Sequence, residues 1–212
     1  MFTQKPGWIL RNIERFDPYI VSDYHLLREL KSLSVERQHT SEIVRMHNRH
    51  IKKNDYVFFL GDLTESEFFE SYDIDTLMRI GDITKRLNGK KIMIAGNNDV
   101  GTGMYYRQIC GFIEYYCNVN IETENFIFSH APYDNSAVDK LNVHGHIHGS
   151  KNYFGMSAEK HIDVYHQLWD NVPRRLSEFK RLYDTGAYCG LSECPNKNHE
   201  NNYPTLYVWQ GR

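Results

Sequence analysis

The 212-residue sequence has little to staple it: four cysteines, six prolines, and no internal repeat or low-complexity tract. Thiols as sparse as Cys110, Cys117, Cys189 and Cys194 exclude a disulfide-dense scaffold and read as free. No run approaches the roughly eighteen apolar residues of a membrane span. The formal net charge is only −2, so the chain as a whole exerts no pull on nucleic acid or anionic membrane. The opening "MFTQKPGWILRNIERFDPYI" scatters Arg11, Glu14, Arg15 and Asp17 through its apolar residues, unlike a secretory signal. Together these absences predict a cytoplasmic chain with neither a membrane partner nor a strong nucleic-acid partner.

What is present is a globular balance, 41% hydrophobic and 25% charged, in a chain long enough to bury a core. We expect one domain over residues 1–212, with its motifs inside 19–149 and a C-terminal extension at 183–212 to which no role attaches. "YIVS" (19–22), "DYVFFLGD" (55–62), "KKIMIAGNND" (90–99), "NFIFSHAPYD" (125–134) and "KLNVHGHIHG" (140–149) read as buried strands ending in polar turns. Apolar spacing predicts helices over 34–52 and 68–87. Strand–helix alternation of this kind means an α/β fold.

The polar residues fall where such a fold puts its chemistry. "SDYH" (22–25), "GDLTE" (61–65), "GNND" (96–99), "SHAP" (129–132) and "HGHIH" (144–148) each follow a strand. Carboxyl ends of adjacent strands converge on one rim of a sheet. Asp23, His25, Asp62, Asn97, His130, His146 and His148 offer imidazole, carboxylate and amide donors without a thiolate. That set suits Mn²⁺, Fe, Zn²⁺ or Ni²⁺ and is too large for one tetrahedral ion. Two divalent ions sharing a carboxylate would suit displacement at phosphorus.

This ordered set resembles the calcineurin-like metallophosphoesterases, whose signature runs Asp-x-His, Gly-Asp, Gly-Asn-His-Asp/Glu, a lone His and Gly-His-x-His. "HNRHIKKNDYVFFLGD" and "HIDVYHQLWDNVPRRLSEF" are similar to blocks of the compact phosphohydrolases of bacteria and phages. The resemblance implies a four-layer sandwich: two mixed β-sheets face to face with helices outside both. It implies that Asp23, His25 and His148 hold one ion and Asn97, His130 and His146 a second, with Asp62 bridging. A metal-activated hydroxide then attacks a phosphomonoester, phosphodiester or nucleotide, with Mn²⁺ the first choice of metal. No capping domain has room here, so a small phosphoester is the expected substrate.

Two positions depart from the pattern. Asn98 stands where the family carries a histidine, and an amide can donate a hydrogen bond but not deliver a proton near pH 7. It is expected to touch the phosphate, and it leaves open a metal-binding module without catalysis. Arg28 replaces a histidine of the compact relatives; it either contacts the phosphate or begins a helix in solvent. Asp99 either orients a neighbouring group of the active site or caps a helix near Thr102. Glu65 either holds a metal-bound water or sits at a helix start, where acids are favoured. His144 falls outside the ligand set. His39, His47 and His50 read as surface or packing residues, and His161 and His166 as part of a late strand. "PRRLSEFKR" (173–181) reads as a solvated helix face and "TLYVWQ" as a closing strand. Cys189, Cys194 and His199 lack a fourth zinc ligand and read as a loop, with a zinc-ribbon-like site as the alternative.

Overall fold

A computed structural model describes residues 8–27, 33–65, 74–99, 103–150, 153, 156 and 160–185. Arg28, Cys189, Cys194, His199 and "TLYVWQ" lie outside the described residues. In chain order the elements are α1 (Trp8–Arg11), α2 (Ile13–Phe16), β1 (Tyr19–Val21), α3 (Leu33–His50), β2 (Tyr56–Phe59), α4 (Ile74–Arg86) and β3 (Lys90–Ile94). A π-turn at Tyr105–Ile109 leads to β4 (Glu114–Tyr116), β5 (Ile121–Glu122), β6 (Phe126–Phe128), β7 (Leu141–His144) and β8 (His161–Asp163). A 3₁₀ turn at His166–Trp169, β9 (Arg174–Arg175) and α5 (Leu176–Asp184) follow.

The strands form two mixed sheets. One has the order β4-β3-β2-β1-β9, parallel except for β9; the other has the order β5-β6-β7-β8, parallel except for β5. The pleat of β2 explains why its sequence is a continuous apolar run rather than an alternation. Val57 and Phe59 point outward into a core with Ile43 and Ile51 of the α3 region and Ile80, Ile83 and Leu87 of the α4 region. Phe58 and Leu60 point inward, against Phe128, Val143 and Ile162 of the second sheet. Both faces are dry, so neither can be polar. Short α1, α2 and α5 add Leu10, Ile13, Leu176 and Phe179 to the inter-sheet core.

Two local readings differ from expectation. His166 lies in the 3₁₀ turn rather than a strand, because the Asp163 carboxylate takes the Tyr165 N–H at 2.9 Å and turns the chain out of the sheet. The start of the basic stretch is not a solvated helix: Arg174 and Arg175 pair antiparallel with β1. The Arg175 guanidinium lies 4.4 Å from the centre of the Tyr19 ring and 3.2 Å from Asp55, and the helix begins only at Leu176.

His47 is a packing residue with a specific task. It accepts the Tyr24 hydroxyl proton at Nδ1 (3.0 Å) and donates from Nε2 to the Asn88 carbonyl (2.8 Å). Tyr24, between Asp23 and His25, is thereby tied to α3 and to the loop before β3. Burial pushes the His47 pKa down to about 4. The unfolded chain binds this proton below about pH 6.5 and the folded chain does not. The stability contributed by neutral His47 is therefore complete above pH 6.5 and lost as pH falls towards 4. Urea unfolding of the metal-free protein should show wild type losing its advantage over His47→Gln by about 1.4 kcal/mol per pH unit in that window. A gap independent of pH contradicts this.

Candidate metal centre

The turns that follow β1, β2 and β7 are bent in an unusual way. Asp23 (φ 57°), His25 (43°), Asp62 (50°), His146 (70°) and His148 (49°) all occupy the left-handed region. Each costs roughly 1–2 kcal/mol for a residue with a side chain, and such strain gathers at functional sites. Backbone bonds across the rim hold it in place. Asp23 N–H donates to the Gly61 carbonyl (2.9 Å), His25 N–H to Asp62 (3.0 Å) and Leu26 N–H to Leu63 (2.8 Å). Gly145 N–H donates to the His130 carbonyl at 2.8 Å, linking the turns of the second sheet.

The side chains gather into two groups. Ligand atoms of Asp23, His25, Asp62 and His148 lie within 4.8 Å of one another, and so do those of Asp62, His130 and His146. The Asp62 carboxylate belongs to both. Asn97 joins the second group through Oδ1, 2.9 Å from His130 Nε2. His25 Nε2 lies 3.2 Å from His148 Nε2 and 3.8 Å from Asp62 Oδ2. His130 Nε2 lies 3.4 Å from Asp62 Oδ1 and 3.1 Å from His146 Nδ1. Imidazole and carboxylate atoms packed this closely, with no thiolate, fit divalent cations of intermediate hardness.

Surrounding bonds fix which atom of each ring faces inward. His130 Nδ1 donates to the Leu60 carbonyl at 2.8 Å, which leaves Nε2 as the lone pair at the site. Asp23 accepts the His146 N–H at 3.1 Å on both oxygens. Burial opposes ionisation of Asp23, yet His148, His130 and His25 outweigh it and hold its pKa well below the usual carboxylate range. Burial likewise opposes protonation of His25, but Glu65, Asp23 and Asp62 raise its pKa.

Glu65 sits on an imidazole ring rather than in open space. Its Oε1 lies 2.9 Å from His25 Nδ1, which sends His25 Nε2 towards Asp23, Asp62 and His148. A carboxylate behind a ligating histidine typically tunes metal affinity by 10–100-fold. Glu65→Gln should weaken binding of one ion by about tenfold or more in a competition titration; unchanged affinity contradicts the arrangement. No local signal in the sequence pairs Glu65 with His25, because β2 and α3 intervene.

The remaining expected residues are placed as follows. Asn98 donates to Asp62 twice, from its backbone N–H to Oδ1 (3.0 Å) and from Nδ2 to Oδ2 (2.8 Å). Asp99 Oδ1 accepts from Leu63 N–H (3.0 Å), Thr64 N–H (3.3 Å) and the Tyr106 hydroxyl (3.4 Å), and Oδ2 from Gly96 N–H (2.8 Å). It clamps the turns after β2 and β3 together, and burial with the neighbouring Asp62 charge raises its pKa. Arg28 falls outside the described residues, and His144 joins neither ligand group. Asp163 supports the last turn from β8: its Oδ2 accepts the Gly149 N–H at 2.8 Å.

A family model described as calcineurin-like phosphoesterase matches residues 19–189. Among solved structures, the AQ665 protein from Aquifex aeolicus superimposes with a TM-score of 0.54 at 20% identity, covering 77% of this chain and 97% of its own. That likeness shows a shared fold. The nuclease MPE from Pseudomonas putida is similar at 21% identity with a TM-score of 0.40, over 61% of this chain and 60% of its own. No curated protein matches the chain. Among the described residues no helix is long and apolar enough to cross a membrane.

Proposed function

Because the chain belongs to the calcineurin-like phosphoesterase family, we propose that its rim binds two divalent cations and hydrolyses a phosphoester. The observation that carries this reading is the membership of Asp62 in both ligand groups, the arrangement a shared carboxylate requires. When bound, two such ions acidify a water and neutralise charge on the phosphoryl oxygens. Mn²⁺ is the first choice, with Fe, Zn²⁺ and Ni²⁺ accepted by the same nitrogen and oxygen donors.

The chain's own residues prepare that chemistry. Asp23, His25 and His148 would hold one ion and Asn97, His130 and His146 the other, with Asp62 within reach of both. Glu65 and the Leu60 carbonyl keep the His25 and His130 rings in the ligating tautomer. Asp99 holds the two turns at their working distance. Asn98 gives one amide hydrogen to Asp62, and its second is left for a phosphoryl oxygen. An amide cannot protonate a leaving group, so the substrate is a small monoester, diester or nucleotide whose leaving group departs as a stable anion.

A panel of aryl phosphates, bis-aryl phosphodiesters and alkyl phosphates, run with each metal, tests this. Aryl esters should turn over, EDTA should stop them, and alkyl monoesters should be poor. Asn98→His should raise the alkyl rate by about tenfold or more, towards the usual yield of general acid catalysis; no gain contradicts the role given to Asn98. The two bonds from Asn98 to Asp62 also favour a second reading, a metal-binding module without turnover. Tight metal binding with no hydrolysis of any ester would select it.

A further inference from the structure

His144 is the histidine of the "HGHIH" segment that the rim does not use. Its neighbours in sequence show where it points. Val143 of β7 and Ile162 of β8 face the inter-sheet core, so His144 and His161 project from the opposite face of the second sheet. There they meet Tyr153. The three rings form a triangle with centroids 5.4 Å apart for His144 and His161, 5.9 Å for His144 and Tyr153, and 5.2 Å for His161 and Tyr153. Both histidines are 0% exposed and Tyr153 is 6% exposed.

Four polar atoms of this triangle have no hydrogen-bond partner among the described residues: His144 Nε2, both nitrogens of His161 and the Tyr153 hydroxyl. A buried unpaired group costs about 1–3 kcal/mol. Several gathered at one point call for a guest, because native proteins leave few such groups unpaired. His144 is already set to ligate. Its Nδ1 donates to the Gly145 carbonyl at 2.9 Å, which leaves Nε2 as a lone pair.

The rim supplies an internal yardstick. Its two imidazole pairs have centroids 5.1 Å apart at 77° for His25 with His148, and 4.9 Å apart at 73° for His130 with His146. His144 and His161 stand 5.4 Å apart at 66°, nearly the same mutual pose. Two imidazoles on one tetrahedral ion, each about 2.0–2.1 Å from it, bring their ring centres to roughly 5 Å.

We propose that His144, His161 and Tyr153 form a third cation site, separate from the rim, for a divalent ion that favours imidazole, with Zn²⁺ the first choice. The site is structural. An ion there would join β7, β8 and Tyr153, beside the turn that carries His146 and His148.

The test is a metal count and an anomalous map on the full chain equilibrated with Zn²⁺ alone. The expected result is three ions per chain, one of them about 2.0–2.1 Å from His144 Nε2 and from a His161 nitrogen. His161→Gln should lower the count to two and leave the rim peaks and the phosphoesterase rate unchanged. Should that variant fail to fold, Tyr153→Phe removes a single oxygen and should weaken the third ion by about tenfold or more. Water without anomalous signal at the triangle overturns the proposal, as does a third-ion affinity unaltered by Tyr153→Phe. The comparison of ring poses rests on the rim reading, but the two outcomes are distinguishable: an ion at the triangle with an empty rim would sink the phosphoesterase reading and keep this one.

Discussion

Asp62→Asn should abolish hydrolysis, lowering kcat by about three orders of magnitude or more, and should release at least one of the two rim ions. Its carboxylate is within reach of both ligand groups, so neutralising it removes an anionic ligand from each. Shared-carboxylate centres supply several kcal/mol of charge stabilisation, and each 1.4 kcal/mol is tenfold in rate. Asparagine is nearly isosteric, so the fold should survive and circular dichroism should be unchanged. Metal analysis of the purified variant against wild type, with the aryl ester assay beside it, reads both effects. Full occupancy and full turnover together would show that Asp62 bridges nothing.

Gly96→Ala should be almost as damaging, although glycine carries no ligand. A β-carbon at Gly96 would run into Asp62 Oδ1 and approach the Asp62 nitrogen to 2.6 Å and His130 Cε1 to 2.7 Å. None of these can yield without moving the carboxylate that joins the two groups. Overpacking of this kind costs about 1–3 kcal/mol in stability, and the displaced Asp62 should cost about a hundredfold in metal affinity, on the scale of lost supporting contacts. Gly145→Ala offers a second view, since its added methyl would collide with Ser22 Oγ and Asp23 Oδ2. Isothermal titration with Mn²⁺ should show weakened binding in both variants, at both ions in Gly96→Ala and at the Asp23 group alone in Gly145→Ala. Wild-type affinity in either would mean that the turns are looser than their contacts indicate.

The part of this architecture legible in the sequence is the part that repeats locally. The runs "VFFL" and "IMI" are apolar at every position because both faces of their strands are buried, and each stops at a polar turn that bears a candidate ligand. Asp23, Asp62, Asn97, His130 and His146 stand out as candidate donors from strand ends alone, before anything showed that the turns meet. The supporting contacts were not legible, because they join residues far apart in the chain. Glu65 reaches His25 and Tyr24 reaches His47 across whole elements of structure. The backbone strain was hidden too. Aspartate and histidine tolerate the left-handed region better than most residues, but nothing in "SDYH" or "HGHIH" announces that both flanking ligands adopt it. The brief pairing of Arg174 and Arg175 with β1 was concealed by their charge, which reads as solvent exposure until Tyr19 and Asp55 are seen beside Arg175.

The most direct measurement is a titration of chelator-stripped protein with Mn²⁺, following hydrolysis of a bis-aryl phosphodiester against equivalents of metal added. If the two groups around Asp62 act as one centre, the first equivalent gives little rate and turnover rises as the second binds, reaching a plateau at two ions. Hydrolysis complete at one equivalent, or none at any loading with Mn²⁺, Fe²⁺, Zn²⁺ or Ni²⁺, would contradict it.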